Sequence, residues 1–458
     1  MSKRVTILGS GESGLGAAKL ASKMSYDVFL SDSGKISGQT LTQLKSFHVD
    51  YEEGGHDIER ILASDVIVKS PGIPDTVKVV VAALTKGIPV ISEVEFAYQH
   101  VGDQAKVIAI TGTNGKTTTT LLTYHLLKKA GLKVALGGNV GVSFAGLVAL
   151  GGFDYYVIEV SSFQLDGIVR FKPDVAVLLN ITPDHLDRYE NSMQQYIASK
   201  FRITENLTKE ECFIYCADSQ PITEELARRN IEACLFAISA TKNDKWNAYL
   251  DEEHLIFNYE YKEAKLHHKI PVSEISLIGK HNMINTMASV MCALWMEISI
   301  KEILKGLKSF KNAPHRLEKV AEIEGVTFIN DSKATNVDSV YYALEGINHP
   351  VIWMAGGIDK GNDYSVLDSF VKAKVKTLIS LGVDNKPLND HYRGKVTLLE
   401  TDKIKKAVRM AFEHAEPGDV VLLSPACASF DLFKNYEDRG DQFKKAVKSL
   451  VKPKKVKS

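Results

Sequence analysis

The sequence predicts an α/β protein of three domains built on parallel sheets. Three observations carry that expectation. Short apolar runs alternate with helical patterns along nearly the whole chain. Two glycine-rich turns each stand between an apolar run and a helix. The 458 residues divide at two polar stretches into portions that are each long enough for a core of their own.

In the first portion, Arg4 to Leu8 is an apolar run ending at Gly9, and Ala17 to Met24 reads as a helix. Further strands are expected at Val28 to Leu30, Val66 to Val68 and Pro89 to Ile91. The polar stretch His100 to Lys106 suggests the first boundary, giving a domain over 1–103. A second domain, 104–312, opens on the strand Val107 to Ile110, followed by a helix over Thr118 to Ala130 and strands over Tyr155 to Val160 and Val175 to Leu179. Residues 218–275 look polar and irregular, with a short strand near Leu255 to Tyr259, and read as an elaboration of the same domain. A helix near Met283 to Trp295 closes it. Lys311-Asn312-Ala313-Pro314 begins the third domain, 313–458, with strands near Thr327, Val351, Thr377 and Val420. The basic end, Lys452 to Ser458, reads as a frayed tail.

Lys plus Arg and Asp plus Glu number 56 each, so the balance offers no reason to expect nucleic acid or a membrane surface as partner. No apolar run approaches the ~20 residues of a membrane span. The N-terminus shows no leader pattern, so a cytoplasmic location is expected. The five cysteines have no zinc or disulfide spacing and read as small buried residues.

Val107 to Thr111 is followed by Gly112-Thr113-Asn114-Gly115-Lys116-Thr117 and then a helix. Such a turn aims backbone N–H groups and a helix N-terminus at one spot, which suits a polyphosphate. Lys116 can reach the β- and γ-phosphates, and the Thr117 hydroxyl can ligate Mg²⁺. The general pattern would place glycine at Ile110, so this loop is a shorter variant. Gly9-Ser10-Gly11-Glu12-Ser13-Gly14, with Asp32 at the end of the next strand, is a dinucleotide fingerprint and makes the first domain Rossmann-like. It implies a diphosphate-bearing ligand without fixing which. Glu159 ends a strand just before Ser161-Ser162-Phe163-Gln164, where a phosphate-loop enzyme commonly holds Mg²⁺. His185, in Asn180 to Arg188, follows another strand and reads as a metal ligand or a substrate-orienting group. Lys200 has helical spacing from Tyr196 and, on pattern alone, no special role.

These motifs, with Lys280-His281-Asn282, Asn285 and Pro314-His315-Arg316, together resemble the Mur ligases, from end to end of the chain. Asn330 to Asn336, Gly356 to Gly361 and Ser424 to Tyr436 are similar to the D-glutamate-adding branch. The resemblance implies a central phosphate-loop ATPase-like domain between two Rossmann-like domains. It implies an acyl-phosphate route from ATP, UDP-N-acetylmuramoyl-L-alanine and D-glutamate, with two Mg²⁺ ions, in a monomer. By position it assigns Gly112 to Thr117, Asn282, Asn285, Arg316 and Asp331 to ATP. Lys116, His185 and Lys200 would be catalytic, and Thr117, Glu159, His185 and a carbamylated Lys200 would serve the metal. Ser13, Gly14, Leu15, Asp32, Gly72, Asn139 and Gln164 would hold the nucleotide-linked substrate, and Thr335, Lys360, Ser429 and Tyr436 would hold D-glutamate. Tyr436 stands where the family often has phenylalanine, and Cys427 reads as packing. Other amino-acid ligases should lack the Ser424 to Tyr436 run. An NAD-dependent dehydrogenase leaves Gly112 to Thr117 without a task, and a hydrolytic phosphate-loop switch leaves the third domain unexplained.

Overall fold

The computed structural model describes residues 3–261, 264–277 and 279–450, so the basic end expected as a tail lies outside the described residues. The chain forms two compact units, 1–276 with 283–310, and 277–282 with 311–458.

The first unit holds two sheets. The smaller comprises β1 (Arg4–Leu8), β2 (Asp27–Asp32), β3 (Asp50–Glu53), β4 (Val66–Lys69) and β5 (Val90–Ser92). Its order is β3-β2-β1-β4-β5, and every pairing is parallel. Val5, Ile7, Leu8 and Leu30 are fully buried, as a sheet covered on both faces requires. The Asp50–Glu53 strand was not legible because it is a polar edge strand with no apolar run. The first helix spans Glu12–Lys23, five residues earlier than its expected start. Gly14 and Gly16 weaken helix propensity there, yet both are needed for close packing. A Cβ on Gly14 would lie 1.9 Å from the Gly9 carbonyl oxygen, and one on Gly16 would lie 1.9 Å from Ser143 Oγ.

The larger sheet comprises β6 (Lys106–Thr111), β7 (Val134–Gly138), β8 (Tyr155–Glu159), β9 (Val175–Leu178), β10 (Cys212–Cys216), β11 (Cys234–Ser239), β12 (Ala248–Asp251), β13 (His254–Tyr261) and β14 (Ala264–Pro271). Its order is β14-β13-β12-β11-β10-β9-β6-β8-β7. The described residues of 218–275 are more regular than the sequence suggests. They extend the sheet through antiparallel pairs of β12 with β13 and of β13 with β14. In β14 the outward positions Lys265, His267 and Lys269 are polar, which masks the strand in the sequence.

In the second unit, β15 (Glu318–Ile323), β16 (Val326–Asn330), β17 (Val351–Ala355), β18 (Val375–Leu381), β19 (Thr397–Thr401) and β20 (Val420–Leu423) form a sheet ordered β15-β16-β20-β17-β18-β19. Only β15 pairs antiparallel. Among the described residues, no helix is long and apolar enough to cross a membrane. Cys212, Cys216, Cys292 and Cys427 are buried and Cys234 is half-buried, all as free thiols.

The two sheets of the first unit are joined through buried acids. Glu95 Oε2 accepts the backbone N–H groups of Val169, Arg170 and Phe171 at 2.8, 2.9 and 2.8 Å. Glu93 is also buried. Its Oε1 accepts the Ala145 N–H, while Oε2 has no partner among the described residues. Burial pushes the Glu93 carboxyl up to about 7. The folded chain therefore keeps a proton that the unfolded chain has lost, so stability falls as pH rises from the ordinary glutamate value toward 7. Glu93→Gln should flatten this fall by up to about 3 kcal/mol. Urea midpoints of both proteins at pH 5 and pH 8 measure it, and parallel pH slopes would refute it.

Candidate active site

Strand order brings distant motifs together. In the larger sheet β6 lies between β8 and β9, so the chain leaves β6 on one side and returns on the other. Ligands bind outside the carboxyl ends of strands at such a switch point. The segments leaving β6, β8 and β9 are Gly112–Gly115, Val160–Phe163 and the start of Asn180–Arg188.

Gly112 has φ +148° and Gly115 has φ +84°. A Cβ on Gly115 would lie 2.4 Å from Asn285 Oδ1, which places Asn285 against the loop. Asn285 Oδ1 also accepts the Thr119 hydroxyl at 3.2 Å. Asn180, inside a motif but not among the expected site residues, sets the loop's shape. Its carbonyl accepts Thr113 N–H at 2.9 Å, its Oδ1 accepts Asn114 N–H at 2.8 Å, and its Nδ2 donates to the Asn114 carbonyl at 3.0 Å. The helix Lys116–Lys129 starts directly after the loop, with Thr117 in its first turn. Lys116 Nζ lies over the loop, donating to the carbonyls of Gly112 and Thr113 at 2.8 Å each.

Glu159 is 3% exposed. Its Oε1 accepts Asn139 Nδ2 at 2.9 Å, and its Oε2 has no hydrogen-bond partner among the described residues. Lys200 is 2% exposed, and its Nζ donates to the Gly112 carbonyl at 2.9 Å. Burial first, and then the nearby Lys116 charge, hold its amine well below the ordinary lysine value, against the fields of Asp184, Asp166 and Glu159. One amine thus registers Lys116, Asp184 and Glu159 together. Beneath it lies the Tyr196 ring, 4.7 Å from Nζ, whose hydroxyl meets Thr113 Oγ1 at 3.2 Å. The helical spacing that looked unremarkable in the sequence therefore buries both side chains in the site.

His185 has φ +53° and precedes the 3-10 turn Leu186–Tyr189. Its Nε2 is 3.6 Å from Asp184 Oδ2 and its ring packs edge-on against Phe163. Among the described residues, no three His, Cys, Asp or Glu side chains gather into a metal cluster. The Glu159 oxygen left without a hydrogen-bond partner among the described residues fits a cation. Gln164 is buried, and its Oε1 accepts Ser161 N–H at 3.0 Å, closing a capping box.

In the smaller sheet the turn after β1 lies against Ser70 after β4. Asp32 Oδ2 accepts Ser10 N–H at 2.7 Å and Oδ1 accepts Gly34 N–H at 2.8 Å. Burial opposes ionisation of Asp32, but these bonds outweigh it and lower the carboxyl. The acid expected to meet a ribose thus also orders the glycine-rich turn. Around Gly11 a Cβ would meet nothing within 4 Å, so packing does not demand glycine there. Ser13 and Leu15 are half-buried beside the turn. Arg188 donates to the carbonyls of Gly72 and Pro71 at 3.4 Å, joining the segment after β4 to the one that carries His185.

In the second unit, β16, β20 and β17 are adjacent, so their carboxyl ends deliver Asp331 to Asn336, Ser424 to Ser429 and Gly356 to Gly361 to one edge. Thr335, Ser429 and Lys360 lie on these three loops, with Ser429 buried and Lys360 exposed. Ile358 N–H bonds the Ala428 carbonyl at 2.9 Å. Asp331 accepts Ser424 Oγ at 2.9 Å and Leu317 N–H at 3.1 Å, and burial pushes it up to about 7 despite Arg316 nearby. Tyr436 opens the helix Tyr436–Lys448, with Lys333 Nζ 3.8 Å from its ring centre. Asn282 is buried near the start of the helix Lys280–Trp295.

A strand-borne phosphate loop, an acid on the neighbouring strand end and a buried lysine define a nucleotide-using enzyme of the phosphate-loop class. Comparisons with known proteins make the class specific. Residues 4–79 match the MurD N-terminal domain, 110–293 the Mur ligase middle domain and 315–427 the Mur ligase glutamate ligase domain. A relative from Christiangramia forsetii named UDP-N-acetylmuramoylalanine–D-glutamate ligase is 48% identical, covering 98% of this chain and 100% of its own. A protein of the same name from Bacteroides fragilis is 46% identical over the same shares. Among solved structures, UDP-N-acetylmuramate-alanine ligase MurC from Thermotoga maritima shares the fold, with a TM-score of 0.60 at 16% identity over 98% of this chain and 100% of that one. MurF ligase from the same organism, solved in complex with ADP, gives a TM-score of 0.59 at 18% identity over 86% and 92%. The chain belongs to the Mur ligase family.

Proposed function

We propose that this chain joins D-glutamate to UDP-N-acetylmuramoyl-L-alanine, using ATP, in cytoplasmic peptidoglycan precursor synthesis. The observation that carries this reading is the end-to-end identity of 46–48% with ligases of that name. A carboxylate is a poor acyl donor because its leaving group would be oxide. Transfer of the γ-phosphoryl group of ATP to it gives an acyl phosphate. The D-glutamate amine then attacks the acyl carbon, phosphate leaves and an amide remains.

The chain's own groups suit each part of that reaction. The loop Gly112, Thr113, Asn114, Gly115 with Lys116 and Thr117 would cradle the phosphates, and Lys116 would set its cation against developing charge. Asn282, Asn285, Arg316 and Asp331 complete the proposed ATP contacts. Thr117, Glu159, His185 and Lys200 would hold Mg²⁺, which supplies charge neutralisation at the transferring phosphoryl group. Lys200 is proposed to be carbamylated: its neutral amine adds to CO₂, forming an N–C bond and releasing a proton. Ser13, Gly14, Leu15, Asp32, Gly72, Asn139 and Gln164 would receive the UDP-sugar substrate, and Thr335, Lys360, Ser429 and Tyr436 the amino acid, with the Lys360 cation toward a carboxylate. The working form is proposed as a monomer of three domains divided near 103 and 312.

The test is phosphate release from ATP with each substrate supplied or withheld. Release should require both UDP-N-acetylmuramoyl-L-alanine and D-glutamate. Release indifferent to D-glutamate would sink the reading.

A further inference from the structure

Arg439 stands in Glu437-Asp438-Arg439-Gly440-Asp441, a charge run that reads as a solvated helix face. The fold buries it instead, leaving 1% exposed. Its Nε donates to Ser332 Oγ at 2.9 Å, Nη2 to the Ser332 carbonyl at 2.8 Å and Nη1 to the Cys427 carbonyl at 3.1 Å. All three acceptors are neutral. Burial holds the guanidinium down to about 10, so it remains a cation at neutral pH.

Burying a cation against neutral acceptors is costly, and an apolar side chain would fill the same volume more cheaply. What the guanidinium adds is geometry. Its planar fork binds two loops at once. Ser332 lies on the loop that carries Thr335, and Cys427 lies on the loop that carries Ser429. The Ser332 hydroxyl donates onward to the Tyr436 carbonyl at 2.8 Å, at the start of Arg439's own helix. Three of the four side chains assigned to D-glutamate thus sit on backbone that converges on one guanidinium. The fourth, Lys360, is tied to the same assembly through Ile358 and Ala428.

We infer that Arg439 is a positioning residue for the amino-acid subsite, locking the loops after β16 and β20 in the register that receives D-glutamate. This rests on the function proposed above. Arg439→Lys keeps the charge and the stem but cannot span both loops. It should raise KM for D-glutamate about 10- to 100-fold, the effect of losing one or two buried charge-assisted bonds. KM for UDP-N-acetylmuramoyl-L-alanine should stay within about twofold, because that ligand is placed on the other unit. Arg439→Ala should show the same selective loss and recover in part with guanidinium at sub-denaturing concentration, whereas added ammonium should not restore it.

Melting curves of both variants accompany the kinetics, and if Arg439→Ala does not fold, Arg439→Lys alone decides. Equal losses for all substrates, or a lower kcat with an unchanged KM for D-glutamate, would overturn the inference. The wild-type protein provides the separating control. If its phosphate release ignores D-glutamate, the functional reading fails and takes the inference with it. If the wild-type control behaves as expected and the variants keep a normal KM, only the inference fails.

Discussion

Lys200→Ala should lower D-glutamate-dependent phosphate release by about 10²- to 10³-fold, the scale of losing one preorganised charged group at a reacting centre. Formate or acetate should then restore part of the rate. The expectation starts from burial. Lys200 is 2% exposed, and its amine is bonded to the Gly112 carbonyl and lies in the field of Lys116. Both burial and that field disfavour the ammonium form and favour the neutral amine, which is the form that adds to CO₂. Carbamylation reverses the sign at this position. An anion there attracts Lys116, where an ammonium would repel it, and can serve a divalent cation beside Glu159. Short carboxylates can stand in for that anion once the side chain is cut back. Initial rates with and without added carboxylate measure the effect. Full activity of the alanine variant, or full activity of the wild type in CO₂-depleted buffer, would remove the carbamate from the account.

The second large effect is expected at Glu159. Its Oε1 is held by Asn139, while its Oε2 is buried without a hydrogen-bond partner among the described residues. An ionised oxygen in that condition costs free energy that a cation would offset. Glu159→Gln keeps the shape and one acceptor but removes the charge. Without ligands it should melt no lower than the wild type, because a buried charge has gone. With substrates, kcat/KM should fall by about 10²- to 10³-fold, and half-maximal rate should need more Mg²⁺. Magnesium titrations of the rate, paired with ligand-free melting curves, test both halves. A variant with the wild-type Mg²⁺ dependence would exclude Glu159 from the metal site.

Much of the candidate site was legible because its signals are local. A run such as Val107 to Thr111, then Gly112 and Gly115, then Lys116 and Thr117, announces strand, turn and helix within a dozen residues. The same holds for Gly9 to Gly14, although the helix there begins at Glu12 because packing overrides the weak propensity of Gly14 and Gly16. The strands of 218–275 were mostly hidden, since a ribbon with one wet face lacks a continuous apolar run. Tyr196 and Arg439 were hidden more deeply. Helical spacing and a charged neighbourhood are what solvated faces also show, and only long-range packing separates the two cases.

By itself, the sequence determined the fold class, the phosphate loop, the family and the positions of the chemistry-bearing motifs at strand ends. Strand order was left to the tertiary structure. It placed β6 between β8 and β9, and β20 between β16 and β17, so that motifs separated by tens of residues share one sheet edge. It also decided which ionisable groups leave water: Lys200, Glu159, Glu93 and Arg439. The physical reason is range. Periodicity and turn chemistry act over a few residues, whereas burial and strand adjacency depend on contacts across the whole chain, and those long-range contacts set the charge states on which this site depends.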